Sequence, residues 1–411
     1  MTEARNVDES PWALRWRRGL LRRIGARVSC GDSGERRRER SHLSAAAIPL
    51  LLAGIISGCA TAPPPEEIRP VWPAPPETAR IEFIRSIASD KDLGNDTTFN
   101  DKLAEFLSGR KAPANHVSEP MGLAVSDDGT RLYVADYGQL SVFVFDLAQR
   151  KFTRIGENPR VGSPTGIALD GQENVYVVDQ EKKGISVFDR SGKSLQFITD
   201  PSLERPEGIA IDRARERIYL ADAGHTRSKV HSVRIFDLQG KMLGVLGKGK
   251  GSQPGEFLFP TNVTVDAAGN VYVSDTLNSR VQVFDVDGRY VKSFGQRGNG
   301  WGMFDKPKGV AVDSFGNVYV VDGGWSNVQV FNQKGQVLIF FGGRGRNPGL
   351  LSNPSSIVID KKNRIYVGDF LNHRVEVYQL VNTTATDSFL VAPVDDGKPG
   401  AGAKSTSNVR K

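Results

Sequence analysis

The sequence predicts an all-β fold, a six-bladed β-propeller of four-stranded antiparallel blades, on three observations. First, a proline opens a unit at Pro120, Pro164, Pro206, Pro260, Pro307 and Pro354, and an aspartate closes the second strand of each at Asp136, Asp179, Asp222, Asp275, Asp322 and Asp369. Two markers keeping step over six units indicate an internal repeat of blade length. Second, each of the first five units has a fourth apolar run after a tight turn, as in Tyr290–Phe294 and Val337–Phe341. Four strands per unit is the arrangement of a propeller. Third, the sixth unit stops at Leu380 after three strands, while an orphan strand, Arg80–Ser86, precedes the first. Pairing first with last completes the blade and removes both free edges. A solenoid would instead need capping repeats at both ends.

The fourth unit shows how a blade is written. Val263 and Val265 alternate with Thr264 and Asp266, Val271–Val273 lead to Asp275, and Val281, Val283 and Phe284 form a third run. Alternation over such short runs is a strand signal. Between the first two lies Asp266-Ala267-Ala268-Gly269-Asn270, a turn in which Gly269 and Asn270 are expected at positive φ.

Composition bounds the function. Of the net charge of +7, residues 1–58 carry 11 basic against 6 acidic residues, leaving 43 against 41 for the remainder. A strongly basic nucleic-acid surface is therefore not expected. The only cysteines, Cys30 and Cys59, precede the repeats, which excludes a disulfide framework or cysteine zinc site in the ring.

Domain organisation follows: a leader over 1–58, a tether over 59–78, the propeller over 79–380 and a disordered tail over 381–411. Arg36–Arg40 precedes an apolar run, Ala45–Ile56, and then Ser57-Gly58-Cys59. This is signal-peptide anatomy, and the run is shorter than the roughly 20 residues of a spanning helix. Ending in Ile-Ser-Gly-Cys, it resembles a bacterial lipobox, which implies lipidation of Cys59. By the same resemblance, Ala60 after that cysteine implies the outer rather than the inner membrane of a Gram-negative envelope. The proline-rich stretch from Ala60 to Glu77 would hold a domain off a surface. Some 35 residues ahead of the basic cluster are long for a signal, so translation is expected to begin further on, for example at Val28.

Asp369-Phe370-Leu371-Asn372-His373-Arg374 in the sixth unit and Asp275–Arg280 in the fourth resemble the NHL repeat, named for Asn, His and an aliphatic residue. The resemblance covers about Pro120 to Leu380 and implies a propeller. The first three units depart from it, with Gln139-Leu140-Ser141, Lys183-Gly184 and Gly224–Ser232 in place of the Asn-His-Arg core. The fold hosts many functions.

Strand direction separates two faces. The links 247–259, 295–305 and 342–353, an insertion at His225 and the segment Asn95–Pro120 share one face. Phe99, Leu103, Phe106 and Leu107 predict a short capping helix in that segment. The other face carries only tight turns. Binding residues concentrate on loops held by a rigid scaffold, so the long-loop face is the candidate. The residues after the strand-closing aspartates include Tyr137, Gln180, Thr276 and Phe370, with Trp325 nearby. Those after the opening prolines are Met121, Thr165, Glu207, Thr261, Lys308 and Ser355. Asn262 is one position deeper, and Arg297, Trp301, Arg344 and Arg346 add cations and an aromatic ring. The six aspartates are expected to cap turns or to pair within the blade, for instance with Arg280 or Arg374.

His116, His225, His231 and His373 form no zinc motif, and no nucleophile elbow, P-loop or dinucleotide fingerprint occurs. No cofactor and no nucleic-acid partner are expected. The sequence therefore favours a monomeric, lipid-anchored, non-catalytic scaffold for an envelope protein, peptide or glycan. The alternative is a calcium- or zinc-dependent hydrolase or lyase in the central channel, with Glu207 and Asn262 at its mouth.

Overall fold

The computed structural model describes residues 69–94 and 115–384. The leader with Cys59, the expected capping helix and the tail beyond 384 lie outside the described residues. Blades 1 to 5 are β3–β6 (residues 120–155), β7–β10 (164–199), β11–β14 (206–246), β15–β18 (260–294) and β19–β22 (307–342), each an antiparallel sheet of four strands. Blade 6 contains β23–β25 (354–380) and is completed by β2, Ile81–Ile87, so the expected closure is observed.

The valine-rich strands form because β-branched side chains suit a pleated surface packed on both faces. Period-2 alternation then divides the side chains between two neighbours. Val271 and Val273 of β16 (Val271–Asp275) enter the core shared with blade 3, while Tyr272 enters the core shared with blade 5. Six such cores run around the ring, and the last joins Tyr366, Val375 and Val377 of blade 6 to Leu132 and Phe143 of blade 1. Fully burying one such side chain stabilises by roughly 1.5–3 kcal/mol, so a blade is stable only between two others.

Closure is specified in register. Ile81 lies opposite Leu380, and Ile87 opposite Val375 of β25 (Arg374–Leu380). The structure adds a strand the sequence did not indicate. Val71–Trp72, β1, lies in the segment read as tether and pairs with β2, giving blade 6 a fifth strand. The Trp72 ring lies 6.0 Å from Phe341 and 5.7 Å from Tyr378. The turn chemistry also needs one correction. Gly269 is left-handed at φ +92°, but Asn270 is absent from the positive-φ positions. Asn270 instead donates its amide N–H and Nδ2 to Asp266, at 2.9 and 2.8 Å.

The innermost strands crowd around the axis. A Cβ on Gly166 would lie 2.5 Å from the Glu207 carbonyl, and one on Gly208 2.7 Å from the Thr261 carbonyl. Glycine is required there by close backbone approach.

Candidate functional site

The loops of the candidate face hang on the six aspartates, all fully buried. Each accepts backbone N–H groups from the link just before its blade. Asp275 takes Leu258 N at 2.6 Å, Asp369 takes Ser352 N at 2.7 Å and Asp136 takes Ser118 N at 2.6 Å. Asp179, Asp222 and Asp322 take Gly162 N, Arg205 N and Asp305 N, each at 2.8 Å. In blade 4 Asp275 also receives Asn278 Nδ2 and Arg280 Nε at 2.8 Å and Gln282 Nε2 at 3.1 Å. The expected structural role of the aspartates is therefore observed. Burial pushes the Asp275 carboxyl above its ordinary value and that of Asp369 up to about 6. The hydrogen bonds and the Arg280 and Arg374 charges oppose that rise.

The Asn and Arg of the same motif fasten the link loops. Asn278 Nδ2 donates to the Gly251 carbonyl and Asn372 Nδ2 to Gly345, each at 2.8 Å. Arg280 reaches the carbonyls of Ser252, Gln253 and Glu256, and Arg374 those of Asn347 and Leu350. Three successive links share one shape, with parallel bridges Lys250–Phe257, Arg297–Phe304 and Arg344–Leu351, the middle one held by Trp325 and Gln329 in place of the Asn and Arg. Lys250, Arg297 and Arg344 are thus equivalent exposed cations in three links.

The residues expected to bind separate into two groups. Glu207, Asn262, Thr276 and Lys308 come together with Met121, Thr165, Thr261 and Ser355 around a cavity of about 200 Å³ where the axis meets the loop face. The others do not line that cavity, although Gln180 stands beside it, its Nε2 3.4 Å from the Pro206 carbonyl. Tyr137 and Trp325 are exposed, whereas Gln180 and Phe370 are half-buried. Leu371, not Phe370, presents the larger exposed surface at its turn. Trp301 stands at the outer margin, its ring 4.9 Å from Phe340 of β22 (Val337–Gly342). Trp325 Nε1 donates to the Gly298 carbonyl at 2.9 Å. Thr276 is buried, its hydroxyl donating to the Pro307 carbonyl at 2.6 Å.

Arg205 is the pocket residue the sequence reading missed. Its Nε donates to Glu207 Oε1 at 2.8 Å. Its signal was available, since Arg205 immediately precedes the opening proline of blade 3. Burial holds the Glu207 carboxyl above its ordinary value, opposed by Arg205. Burial, then Lys306, holds the Lys308 ammonium below its own. Among the described residues no group of three His, Cys, Asp or Glu side chains is placed to hold a metal. Glu207 and Asn262 do meet, but beside Arg205 and Lys308, a charge pattern opposed to a divalent cation.

Deeper along the axis is a second cavity of about 330 Å³, lined mainly by apolar residues of the inner strands. At its far end Asp127 pairs with Lys361 at 2.8 Å and with Arg213. The turn face is built of tight turns as expected, for example Gly269 N to the Asp266 carbonyl at 3.0 Å. It also carries a groove of about 470 Å³ between the turns of blades 4, 5 and 6.

Two segments, residues 257–284 and 351–378, match the family model of the NHL repeat. The chain is a six-bladed propeller that carries NHL repeats. Both segments run from the end of a link to the third strand, so they contain the aspartate and the Asn and Arg that fasten the loop. Among curated proteins the NHL propeller is similar to "Protein brain tumor" of Drosophila melanogaster, 28% identical over 137 residues, or 32% of this chain and 12% of that one. It is also similar to "RING finger protein nhl-1" of Caenorhabditis elegans, 34% identical over 102 residues, 25% of this chain and 9% of that one. The matches thus span about a tenth of those proteins. A solved structure of unknown function from Bacteroides thetaiotaomicron superposes with a TM-score of 0.53 at 17% identity, covering 73% of this chain and 75% of the other. That likeness concerns the fold alone.

Proposed function

We propose that this NHL propeller is a non-catalytic scaffold that captures a protein, peptide or glycan on its long-loop face. In this reading it is held at the bacterial envelope, on the outer membrane, by a lipid on Cys59. The observation that carries the reading is the exposure of Tyr137, Trp301 and Trp325 on loops fixed by buried aspartate hubs, with Arg297 and Arg344 exposed on the same face. Large aromatic side chains and arginine supply most anchor energy in interfaces, and a rigid frame lowers the entropy cost of using them.

The test replaces Tyr137, Trp301 and Trp325 together by alanine and compares proteins cross-linked to the variant and to the natural chain in native membranes. Loss of specific cross-links at an unchanged melting temperature supports the reading. An identical cross-linked set rejects it. Anchoring is tested separately: Cys59→Ser should release the protein from the membrane fraction, and retention there would reject lipidation.

A further inference from the structure

The hydrogen-bond donors around the axial pocket fall into two sets. The hydroxyls are spent on the ring itself. Thr165 Oγ1 donates to the Glu207 carbonyl at 2.9 Å, Thr276 Oγ1 to Pro307 at 2.6 Å, and Ser355 Oγ to Pro120. Thr261 Oγ1 lies 2.6 Å from Thr276 Oγ1; because the Thr276 proton is on the Pro307 carbonyl, Thr261 is the donor of that pair.

The nitrogen donors are not spent in this way. Arg205 engages Glu207 through Nε alone. Lys308 has three ammonium protons and one hydrogen bond, to Asn353 Oδ1 at 2.9 Å. Asn262 uses Oδ1, accepting Val310 N at 3.4 Å, while its Nδ2 makes no hydrogen bond among the described residues. Two cations and an amide therefore line the pocket with one carboxylate between them. Burial of the Lys308 ammonium beside Lys306 leaves that charge short of compensation, as desolvation of a cation does.

We propose that the axial pocket binds a compact carboxylate, seated on Lys308, Arg205 and Asn262, whose own α-N–H (ammonium or peptide amide) or α-hydroxyl donates to Glu207. A guanidinium whose two NH2 groups are free is suited to a carboxylate. At about 200 Å³ the cavity is smaller than the ~300–1,000 Å³ typical of drug-sized ligands. It suits an α-amino or α-hydroxy acid, or the terminal residue of a peptide. The proposal rests on the loop face being the binding face, but it places the ligand on the axis, away from Tyr137, Trp301 and Trp325.

The test is thermal-shift and calorimetric titration of the purified full chain with glycine, glycolate, glycylglycine and glycinamide. The three carboxylates should raise the melting temperature at millimolar concentration, and glycinamide should not. Lys308→Met and Arg205→Gln should each weaken carboxylate binding by about tenfold or more, with Lys308→Arg restoring part of it. Tighter binding of glycylglycine than glycine assigns the ligand to a peptide C-terminus; the reverse assigns it to a free acid. The proposal is overturned if no carboxylate binds at tens of millimolar, if glycinamide binds equally well, or if both variants, each folded by its own melting curve, bind unchanged. Lost carboxylate binding with partner cross-linking intact separates this pocket from the rest of the loop face.

Discussion

Replacing Glu376 by glutamine should make the protein more stable at pH 8 while changing little at pH 4.5. Glu376 lies in β25 at the position that Gln282 holds in β17 (Arg280–Phe284) and Gln329 in β21 (Asn327–Phe331). Gln282 Oε1 accepts Gly255 N at 2.9 Å and Gln329 Oε1 accepts Gly302 N at 3.1 Å. Glu376 Oε1 likewise accepts Gly349 N at 3.2 Å, while Oε2 accepts Ser86 Oγ of the closing strand at 2.6 Å. The side chain is fully buried, and Arg374 Nη2 lies 2.6 Å from Oε1. Burial pushes the carboxyl from 4.5 up to about 7, against the Ser86 hydrogen bond and the Arg374 charge.

A carboxyl raised in the folded state favours folding when protonated. Its contribution is fully present below about pH 4.5 and is lost as pH rises to about 7. A rise from 4.5 to about 7 corresponds to roughly 3 kcal/mol, at 1.36 kcal/mol per unit. Removing one partner of a buried pair is usually costly. Here Arg374 keeps Asp369 at 3.7 Å and two loop carbonyls. Gln282 beside Arg280 shows that the amide is accommodated in this position. The assay is urea unfolding of both proteins at pH 4.5, 6 and 8. The stability difference should grow in favour of Glu376→Gln by about 2–3 kcal/mol across that range. Equal pH dependence of the two proteins, or a uniform loss in the variant, would mean that Glu376 is not the source of the pH dependence.

Two further substitutions test the frame. Asp275→Ala removes the acceptor of four donors and leaves Arg280 partly uncompensated, so unfolding free energy should fall by about 3 kcal/mol. Hydrogen exchange in residues 247–259 should also accelerate more than in the turns of the same blade. Gly166→Ala places a Cβ 2.5 Å from the Glu207 carbonyl, so a calorimetric loss of roughly 1–3 kcal/mol is expected; a neutral result would show that the inner strands can separate there.

Most of the frame was legible because each blade repeats it. The opening prolines, the closing aspartates and the period-2 valines recur six times, and the orphan strand at Arg80–Ser86 had one place to go. What was missed depended on contacts unique to one blade. Val71–Trp72 pairs with β2 because the Trp72 ring meets Phe341 and Tyr378, and nothing in a proline-rich stretch announces that. Arg205 lies outside the set defined by residues after the prolines. Thr276 lines the axial pocket, but its hydroxyl is spent on the Pro307 carbonyl of the next blade, a contact that its place in the repeat does not announce. The groove on the turn face arises from the spacing of three blades, which turn composition does not encode.

The proposed function requires that the long-loop face, not the turn face, receive the partner. Hydrogen exchange of the cross-linked or reconstituted complex tests it most directly. Protection should appear in residues 247–259, 295–305 and 342–353 and at Tyr137 and Trp325, with the turns at 126–129, 266–270 and 313–317 unchanged. Protection confined to those turns would move the binding site to the opposite face.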